Sequence, residues 1–426
     1  MACRPESAHS RLRCTVTARV RISCVCLCLV WTALDSQAGD WTRFRGPNGS
    51  GSNGSEGPPS EWTEDDINWR IDLPGVGHSS PVIWEDRIFL TSGDEETGER
   101  IVSCIDALSG DEIWSRSFPA GQHGKHKLNS FASPTPVLDA ERVYIAWGTP
   151  EEIVVLALSH EGEEQWRTDL GPFQSGHGFG VSPILVDDML ILPVEHQADS
   201  FRAAINCGDG SLRWNVPCES SLHYATPCER TGPNGRRELI FVNWEQGISG
   251  VSPEDGRVLW SADVFDKEHY ESSIASPVLA GDLVIGVSGY LGRGNEVIAV
   301  APGSEPLEPV WRLERGGPLC VTPVVADDLV IFWSDNGIVT CVDSRDGTVH
   351  WQERIGGSYY SSPVLAGGRI FNVSTEGIVV VIAADTEFRV LAENDIGEGS
   401  HATPAIVGDV MYLRTFHSLL SVGTRE

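Results

Sequence analysis

Basic residues, methionine and long apolar runs are all scarce in this chain of 426 residues. It has 31 lysines and arginines against 60 acidic residues, and its formal net charge is −29. A phosphate backbone would repel such a chain, which argues against nucleic acid as a partner. Only three methionines are present, whereas glycine (45) and proline (25) are frequent. This balance predicts an all-β protein of many short strands joined by turns.

Only one apolar run, Ile22 to Leu34, stands out, and several arginines precede it. The small residues of Ser36-Gln37-Ala38 follow the run, so we expect residues 1–38 to be a signal peptide. An uncleaved anchor is the alternative, although the run is shorter than the roughly 20 residues of a membrane-spanning helix. We therefore expect residues 39–426 to form a single exported domain without a membrane span, located in the periplasm or cell envelope, or secreted.

Cysteine is also sparse once the predicted signal is set aside. The remaining six are Cys104, Cys207, Cys218, Cys228, Cys320 and Cys341. No Cys-x-x-Cys occurs, so a zinc ribbon has no support. Cys218 and Cys228 flank a predicted turn and are the best candidates for a disulfide, whereas Cys104 and Cys341 are predicted to be buried thiols in strands.

What the chain does contain is a repeat. A Ser/Thr-Pro step followed by an apolar run occurs at Ser80-Pro81, Thr135-Pro136, Ser182-Pro183, Thr226-Pro227, Ser276-Pro277, Thr322-Pro323, Ser362-Pro363 and Thr403-Pro404. Successive prolines are 40 to 55 residues apart. Each unit reads as four short antiparallel strands, and this period is typical of a β-propeller blade.

A tryptophan recurs in the last strand of most units. This position carries Trp69, Trp114, Trp166, Trp214, Trp260, Trp311 and Trp351, and Leu391 is predicted to fill it in the seventh unit. In five of the units a glycine lies four residues before the tryptophan, where a hairpin turn needs a positive φ. We interpret these rings as structural, each docking on the neighbouring blade.

The two ends of the chain complete each other in this scheme. The eighth unit has room for three strands only, whereas residues 67–73, with Trp69, resemble an isolated fourth strand. We therefore predict an eight-bladed propeller whose N-terminal strand closes the ring and removes the free sheet edge. Residues 39–66 are expected to be a lead segment, flexible from about residue 45 to residue 60.

These repeats resemble the PQQ-like (pyrroloquinoline quinone) β-propeller family, which includes quinoprotein dehydrogenases and the assembly lipoprotein BamB. The resemblance rests on the Ser/Thr-Pro steps and on endings such as IDALSGDEIW and VDSRDGTVHW. The opening WTRFRGPNGSG is similar to that of exported bacterial members of unassigned activity. Resemblance to the quinoprotein enzymes would imply two adjacent cysteines that cover the quinone, together with ligands for a calcium ion. No two cysteines are adjacent in this sequence.

Side chains just before the Ser/Thr-Pro steps should meet at one mouth of the channel. The candidates for ligand or cofactor binding are His78, His177, His223, Tyr224, Tyr360 and His401. They would surround a flat or anionic ligand, and protonation of the histidines below about pH 6.5 would attract an anion. The alternative is that these side chains only plug the funnel. No catalytic or metal-binding residues can be named.

The sequence therefore favours a monomeric binding or scaffold protein of the cell envelope, with a protein or small-molecule ligand at the funnel. A quinoprotein oxidoreductase that uses pyrroloquinoline quinone is the alternative. Glycan binding, suggested by the abundance of tryptophan and tyrosine, is a third hypothesis.

Overall fold

A computed structural model describes residues 40–219, 222–268, 272–290, 295–303 and 307–424. The predicted signal peptide lies outside these ranges. Two short 3₁₀ turns, Pro47–Gly49 and Glu64–Asp66, are the helical segments of the described chain, and everything else regular in it is β-strand. None of the helices in this part of the chain has the length and apolar character needed to cross a membrane.

The strands form eight blades, numbered here along the chain. Strand β1 is Ile67–Asp72, and blade 1 comprises β2 (Val82–Trp84), β3 (Arg87–Gly93), β4 (Arg100–Asp106) and β5 (Glu112–Phe118). Blade 2 comprises β6 (Val137–Leu138), β7 (Arg142–Gly148), β8 (Ile153–Ser159) and β9 (Glu164–Asp169). Blade 3 comprises β10 (Ile184–Val186), β11 (Met189–Val194), β12 (Phe201–Asn206) and β13 (Leu212–Pro217). Blade 4 comprises β14 (Cys228–Thr231), β15 (Arg237–Asn243), β16 (Gly247–Val251) and β17 (Val258–Ala262).

The second half of the chain repeats this pattern. Blade 5 comprises β18 (Val278–Ala280), β19 (Leu283–Ser288), β20 (Glu296–Val300) and β21 (Pro309–Leu313). Blade 6 comprises β22 (Val324–Ala326), β23 (Leu329–Trp333), β24 (Ile338–Asp343) and β25 (Val349–Arg354). Blade 7 comprises β26 (Val364–Ala366), β27 (Arg369–Val373), β28 (Ile378–Ala383) and β29 (Val390–Asp395). Blade 8 contains β30 (Ala405–Val407), β31 (Val410–Arg414) and β32 (Ser418–Gly423).

The N-terminal strand completes blade 8, as predicted. Strand β1 pairs antiparallel with β32, so the eighth sheet has the order β1-β32-β31-β30. Trp69 lies opposite Ser421 in this pairing, and Asp72 lies opposite Ser418. The eight four-stranded antiparallel sheets confirm the eight-bladed β-propeller and the closure of its ring by β1.

The outer tryptophans lock neighbouring blades together through glycine. A methyl group on Gly110 would come within 2.8 Å of the Trp69 ring, and the Trp69 indole N–H donates a hydrogen bond to the Ala107 carbonyl at 3.1 Å. The same contact joins Trp114 to Gly162, Trp166 to Gly210, Trp214 to Gly256, and Trp311 to Gly347. Each of these glycines has a positive φ. The glycine is therefore needed both for the turn and for the close approach of the indole.

Three positions depart from this pattern. Trp351 donates its indole N–H to the Asp385 carbonyl of the next blade at 3.0 Å, and its ring packs against Phe388 instead of a glycine. Trp260 donates its indole N–H to Glu238 of its own blade at 2.9 Å, and the next blade has Leu307 in place of the glycine. Trp260 still packs against the core that blades 4 and 5 share, so the prediction fails only for its hydrogen bond. In blade 7, Ala392 and not Leu391 pairs with Val381 in the tryptophan register. The turn before β29 is one residue longer than its counterpart in blade 6, which leaves Leu391 39% exposed.

A circle of hydrogen bonds joins the eight blades around the channel. The backbone N–H of each Ser or Thr in the Ser/Thr-Pro steps donates to the side-chain hydroxyl oxygen of the Ser or Thr at the equivalent position in the next blade. These N–O distances are 2.9 to 3.3 Å. The circle closes where the Thr403 N–H donates to Ser80 Oγ at 3.1 Å. All eight residues are buried, and a buried N–H without an acceptor costs about 1–3 kcal/mol. This explains the hydroxyl residue in every repeat.

Residues 41–58, which we call the strap, cross the channel instead of forming a flexible lead. Trp41, the first residue of the strap, pairs with Ile83 of blade 1, and further along the strap the Gly51 carbonyl accepts a hydrogen bond from Leu365 of blade 7. Between them Arg45 is fully buried. The Arg45 guanidinium donates to the carbonyls of Thr322, Pro323 and Pro363 at 2.7 to 3.2 Å. These inward-facing carbonyls need donors, so the expected flexibility of this segment is wrong.

All six cysteines of the described chain are free thiols. The disulfide suggested for Cys218 and Cys228 is therefore wrong. Cys228 is the first residue of β14 and is buried. Cys104 and Cys341 are buried in strands, as expected. Each lies opposite a blade tryptophan, Trp114 and Trp351 respectively, where a small side chain makes room for the indole.

The glycine contact predicts the effect of adding one methyl group. Gly162→Ala should lower the free energy of unfolding by about 1–3 kcal/mol more than Gly121→Ala, because only Gly162 lies under a tryptophan, Trp114, at 2.8 Å. Both glycines have a positive φ, 81° and 69°, so both variants share the backbone strain of roughly 1–2 kcal/mol. Urea unfolding of the two variants checks this. Equal midpoints would contradict the proposed lock.

Candidate functional site

One mouth of the channel is formed by the residues that come just before the Ser/Thr-Pro steps. It holds a cavity of about 360 Å³, which we call the funnel. Five of the six predicted binding residues line it: His78, His177, Tyr224, Tyr360 and His401. They come from different blades, and the circle of Ser and Thr residues brings the starts of the first strands together. The convergence predicted from the repeat is therefore present.

Aromatic rings pack against one another along one wall of the funnel. The centroid of the His401 ring lies 4.5 Å from that of His78 and 4.7 Å from that of Tyr360. Phe416 supports the His401 ring from a centroid distance of 5.0 Å. A second pair, His126 and His177, has its centroids 5.4 Å apart. The walls therefore present ring edges and faces at stacking distance from a planar ligand.

His223 does not line the funnel, contrary to the prediction. Its ring is buried and bonded to the Glu245 carboxylate, and its Nδ1 accepts the Ser273 N–H at 2.9 Å. Tyr224, the next residue, does line the cavity. Consecutive residues of an extended chain point to opposite sides, so only one of the two can face the channel. The same alternation buries Tyr359 against Trp333 and leaves Tyr360 in the funnel.

Three histidines of the funnel, His78, His177 and His401, have lowered pKa values and are neutral at neutral pH. Burial lowers the pKa of His401 to about 4. Burial, followed by the neighbouring His401, Arg414 and Lys125, holds the pKa of His78 well below its usual range. Burial and His126 also lower the pKa of His177. The expectation that these histidines become protonated below about pH 6.5 and attract an anion is therefore wrong for His78 and His401.

Several lining groups could not be singled out in the sequence. Phe44 of the strap lines the funnel from the far side of the hydroxyl circle. Hydroxyl residues of the circle also line it: Ser182, Thr226, Ser276, Thr322, Ser362 and Thr403. The sequence shows that a hydroxyl residue recurs in each repeat, but only the circle places these hydroxyl groups together at the funnel. Each hydroxyl accepts one backbone N–H and still carries its own proton, so it can donate to a ligand.

Cys320 also reaches the funnel, next to a buried carboxyl group. Burial, and after it the neighbouring Asp335, raises the pKa of the Cys320 thiol well above its usual range. The Asp335 carboxylate accepts the N–H groups of Leu319 and Cys320 at 2.6 and 3.0 Å. Because the reactive form of cysteine is the thiolate, Cys320 is poorly suited to act as a nucleophile. The pair instead holds this part of the wall in place.

The residues of the funnel do not fit a quinone cofactor that is held through a metal ion. Among the described residues that line the cavity there is no lysine or arginine. Across the ranges that the structure describes, no group of three or more His, Cys, Asp or Glu side chains could hold a metal ion. Pyrroloquinoline quinone carries carboxylates, and burying them without cations or matched donors is costly. The lining favours a planar, uncharged ligand.

Comparisons with known proteins agree with the architecture. A family model described as "Outer membrane protein assembly factor BamB" matches residues 98–353 and 293–420. The protein of that name from Yersinia pestis is 20% identical over 326 residues, which cover 72% of this chain and 67% of the relative. The crystal structure of BamB from Moraxella catarrhalis has a TM-score of 0.61 at 13% identity, over 84% of this chain and 98% of that one.

A dehydrogenase has the same architecture. A europium-containing methanol dehydrogenase superposes with a TM-score of 0.62 at 12% identity, over 88% of this chain and 89% of the enzyme. Likeness at this level of identity shows the shared fold and leaves the activity to be argued from the site.

The low pKa of His401 predicts how stability depends on pH. Between its folded value of about 4 and the ordinary 6.5, the unfolded chain binds a proton more readily than the folded protein. The free energy of unfolding should therefore fall as the pH drops from 6.5 towards 4, and His401→Gln should make that fall smaller. Melting curves at several pH values test this, with the exposed His350→Gln as the control. Parallel pH profiles for wild type and His401→Gln would contradict it.

Proposed function

The chain belongs to the PQQ-like repeat family of BamB, and from that membership we propose that it is an exported binding or scaffold protein of the cell envelope. In this proposal residues 1–38 direct export, and residues 39–426 form one domain that acts as a monomer in the periplasm or is secreted. The funnel is its recognition surface. The relatives are described as outer membrane protein assembly factors, which supports a role in holding a partner.

The form of the funnel is the observation that carries this proposal. It combines converging rings, a set of hydroxyl donors and a strap that crosses the far side of the channel. His401 Nδ1 has no hydrogen-bond partner in the described structure, although it is buried. A buried polar atom of this kind is satisfied when a ligand or water reaches it. Neutral rings, free hydroxyl protons and one open acceptor or donor suit an aromatic group that carries a hydroxyl or N–H.

The alternative function is a quinoprotein oxidoreductase. Its support is the shared fold, and the lack of lysine and arginine among the funnel residues that the structure describes argues against it. Glycan binding has less support, because the blade tryptophans that suggested it are used between or within blades.

A direct test compares two kinds of ligand on the purified protein. Pyrroloquinoline quinone, with and without calcium, should not remain with the protein through gel filtration, and the mixture should not reduce a dye with alcohols or sugars. The uncharged planar probe 2-naphthol should bind with one site per chain in a fluorescence titration. Retained quinone absorbance together with dye reduction would overturn the proposal in favour of the oxidoreductase.

The Tyr360 ring gives the matched variant for this test. Tyr360→Ala should weaken 2-naphthol binding about two- to tenfold, since an aromatic pair contributes roughly 0.5–1.5 kcal/mol. His350→Ala, at an exposed site on β25, should leave the affinity unchanged. A lack of naphthol binding, or equal loss in both variants, would contradict binding in the funnel.

A further inference from the structure

A second cavity, of about 610 Å³, lies beside the strap on the far side of the hydroxyl circle. Arg43 and Asn48 of the strap form one wall. Blades 2 to 5 form the other, through residues that include Leu138, Leu185, Leu279 and Asp282. This cavity shares no lining residue with the funnel. An occupant here would therefore be separate from the proposed function of the funnel.

Arg43 is a buried cation, and no described residue of this cavity is its counter-ion. Its side chain belongs to a residue that is only 7% exposed, and its Nη2 donates to the Pro227 carbonyl at 2.8 Å. Its Nε has no hydrogen-bond partner, and no carboxylate of the described chain lies within ion-pair distance. Arg45, two residues on, is instead surrounded by carbonyls. A buried guanidinium left this open is costly unless an anion reaches it.

The other charged groups around the cavity do not compensate for Arg43. Arg230 pairs with Glu238 at 3.2 Å, and the Glu229 carboxylate is taken by Arg237. Asp282 lies exposed on the turn between β18 and β19. Burial lowers the pKa of Arg43 to about 10, which still leaves it charged at neutral pH. The cavity therefore combines one buried positive charge with one negative charge at its rim.

The first strands offer backbone groups next to Arg43. The strap makes hydrogen bonds to one equivalent position, two residues after the proline, in five blades: Ile83, Leu138, Glu229, Leu365 and Ile406. Leu185 and Leu279 hold the same position in blades 3 and 5, on either side of Glu229, and the described strap makes no such bond to them. An extended segment could pair there as the strap does elsewhere.

We propose that this cavity binds an extended peptide segment whose carboxylate pairs with Arg43. The inner edges of blades 3 and 5 supply main-chain hydrogen bonds, and the Arg43 guanidinium supplies a charge-assisted pair with the carboxylate. The strap itself shows how a chain lies against these edges. The arrangement assigns the far side of the propeller to peptide recognition, while the funnel takes an uncharged ligand.

Saturation-transfer NMR with the whole protein and three small probes tests this proposal. Trialanine, with a free carboxylate, should bind at least tenfold more tightly than trialaninamide, and also more tightly than acetate, which lacks the backbone. Arg43→Gln should remove the preference for the free carboxylate, whereas Arg257→Gln, at an exposed arginine on the outer side, should keep it. Equal affinity for trialanine and its amide, or for trialanine and acetate, would overturn the proposal.

A second variant keeps the test decisive if Arg43→Gln does not fold. Asp282→Asn removes the negative charge at the rim from an exposed turn, so folding should be unaffected. It should tighten trialanine binding about two- to threefold at low ionic strength, and the gain should disappear at high salt. Unchanged or weaker binding by Asp282→Asn at low salt would contradict a carboxylate in this cavity.

Discussion

The circle of backbone N–H to hydroxyl bonds is the constraint on which the rest of the structure depends. Each Ser or Thr before a proline is at once a donor to the next blade and an acceptor from the previous one. The circle is complete only when Thr403 meets Ser80, so the first and last repeats are joined at the channel. Eight equivalent bonds place the starts of eight strands at one level. The side chains before them must then gather at one mouth, which produces the funnel.

The N-terminal segment uses this geometry twice. Strand β1 completes blade 8 at the outside of the ring, where Trp69 stands over Gly110 of blade 1. The strap that precedes it crosses the channel, where Arg45 satisfies carbonyls of blades 6 and 7. One stretch of chain thus seals the ring and divides the channel into two sites of opposite character. The funnel has neutral rings, and the cavity beside the strap has a buried cation.

The repetitive part of the structure could be predicted from the sequence, and the singular part could not. The Ser/Thr-Pro steps and the glycines before the tryptophans recur at regular intervals, so they predict the blades. The isolated strand with Trp69 fits the strand that the eighth repeat lacks, so it predicts the closure of the ring. The choice between His223 and Tyr224 depends on the direction of one extended residue, which no interval encodes. The displacement from Leu391 to Ala392 follows from a single extra turn residue.

The ordered structure of the strap also could not be predicted from the sequence, for a physical reason. A stretch rich in glycine and serine has the composition of a flexible linker. It is held here by carbonyls that become available only when eight distant strands have come together. The protonation state of His78 and His401 has the same origin, because their burial arises from residues of other blades.

Hydrogen exchange of the eight circle amides tests the central claim most directly. Protein labelled with ¹⁵N at serine and threonine would be followed by NMR in the native state. If the circle opens only as a whole, the eight amides from Ser80 to Thr403 should exchange at the same rate. That rate should be the slowest in the protein and equal to the rate set by global unfolding. If the amides of one or two blades exchanged much faster than the others, the blades would open separately, and the circle would not be the constraint that organises both sites.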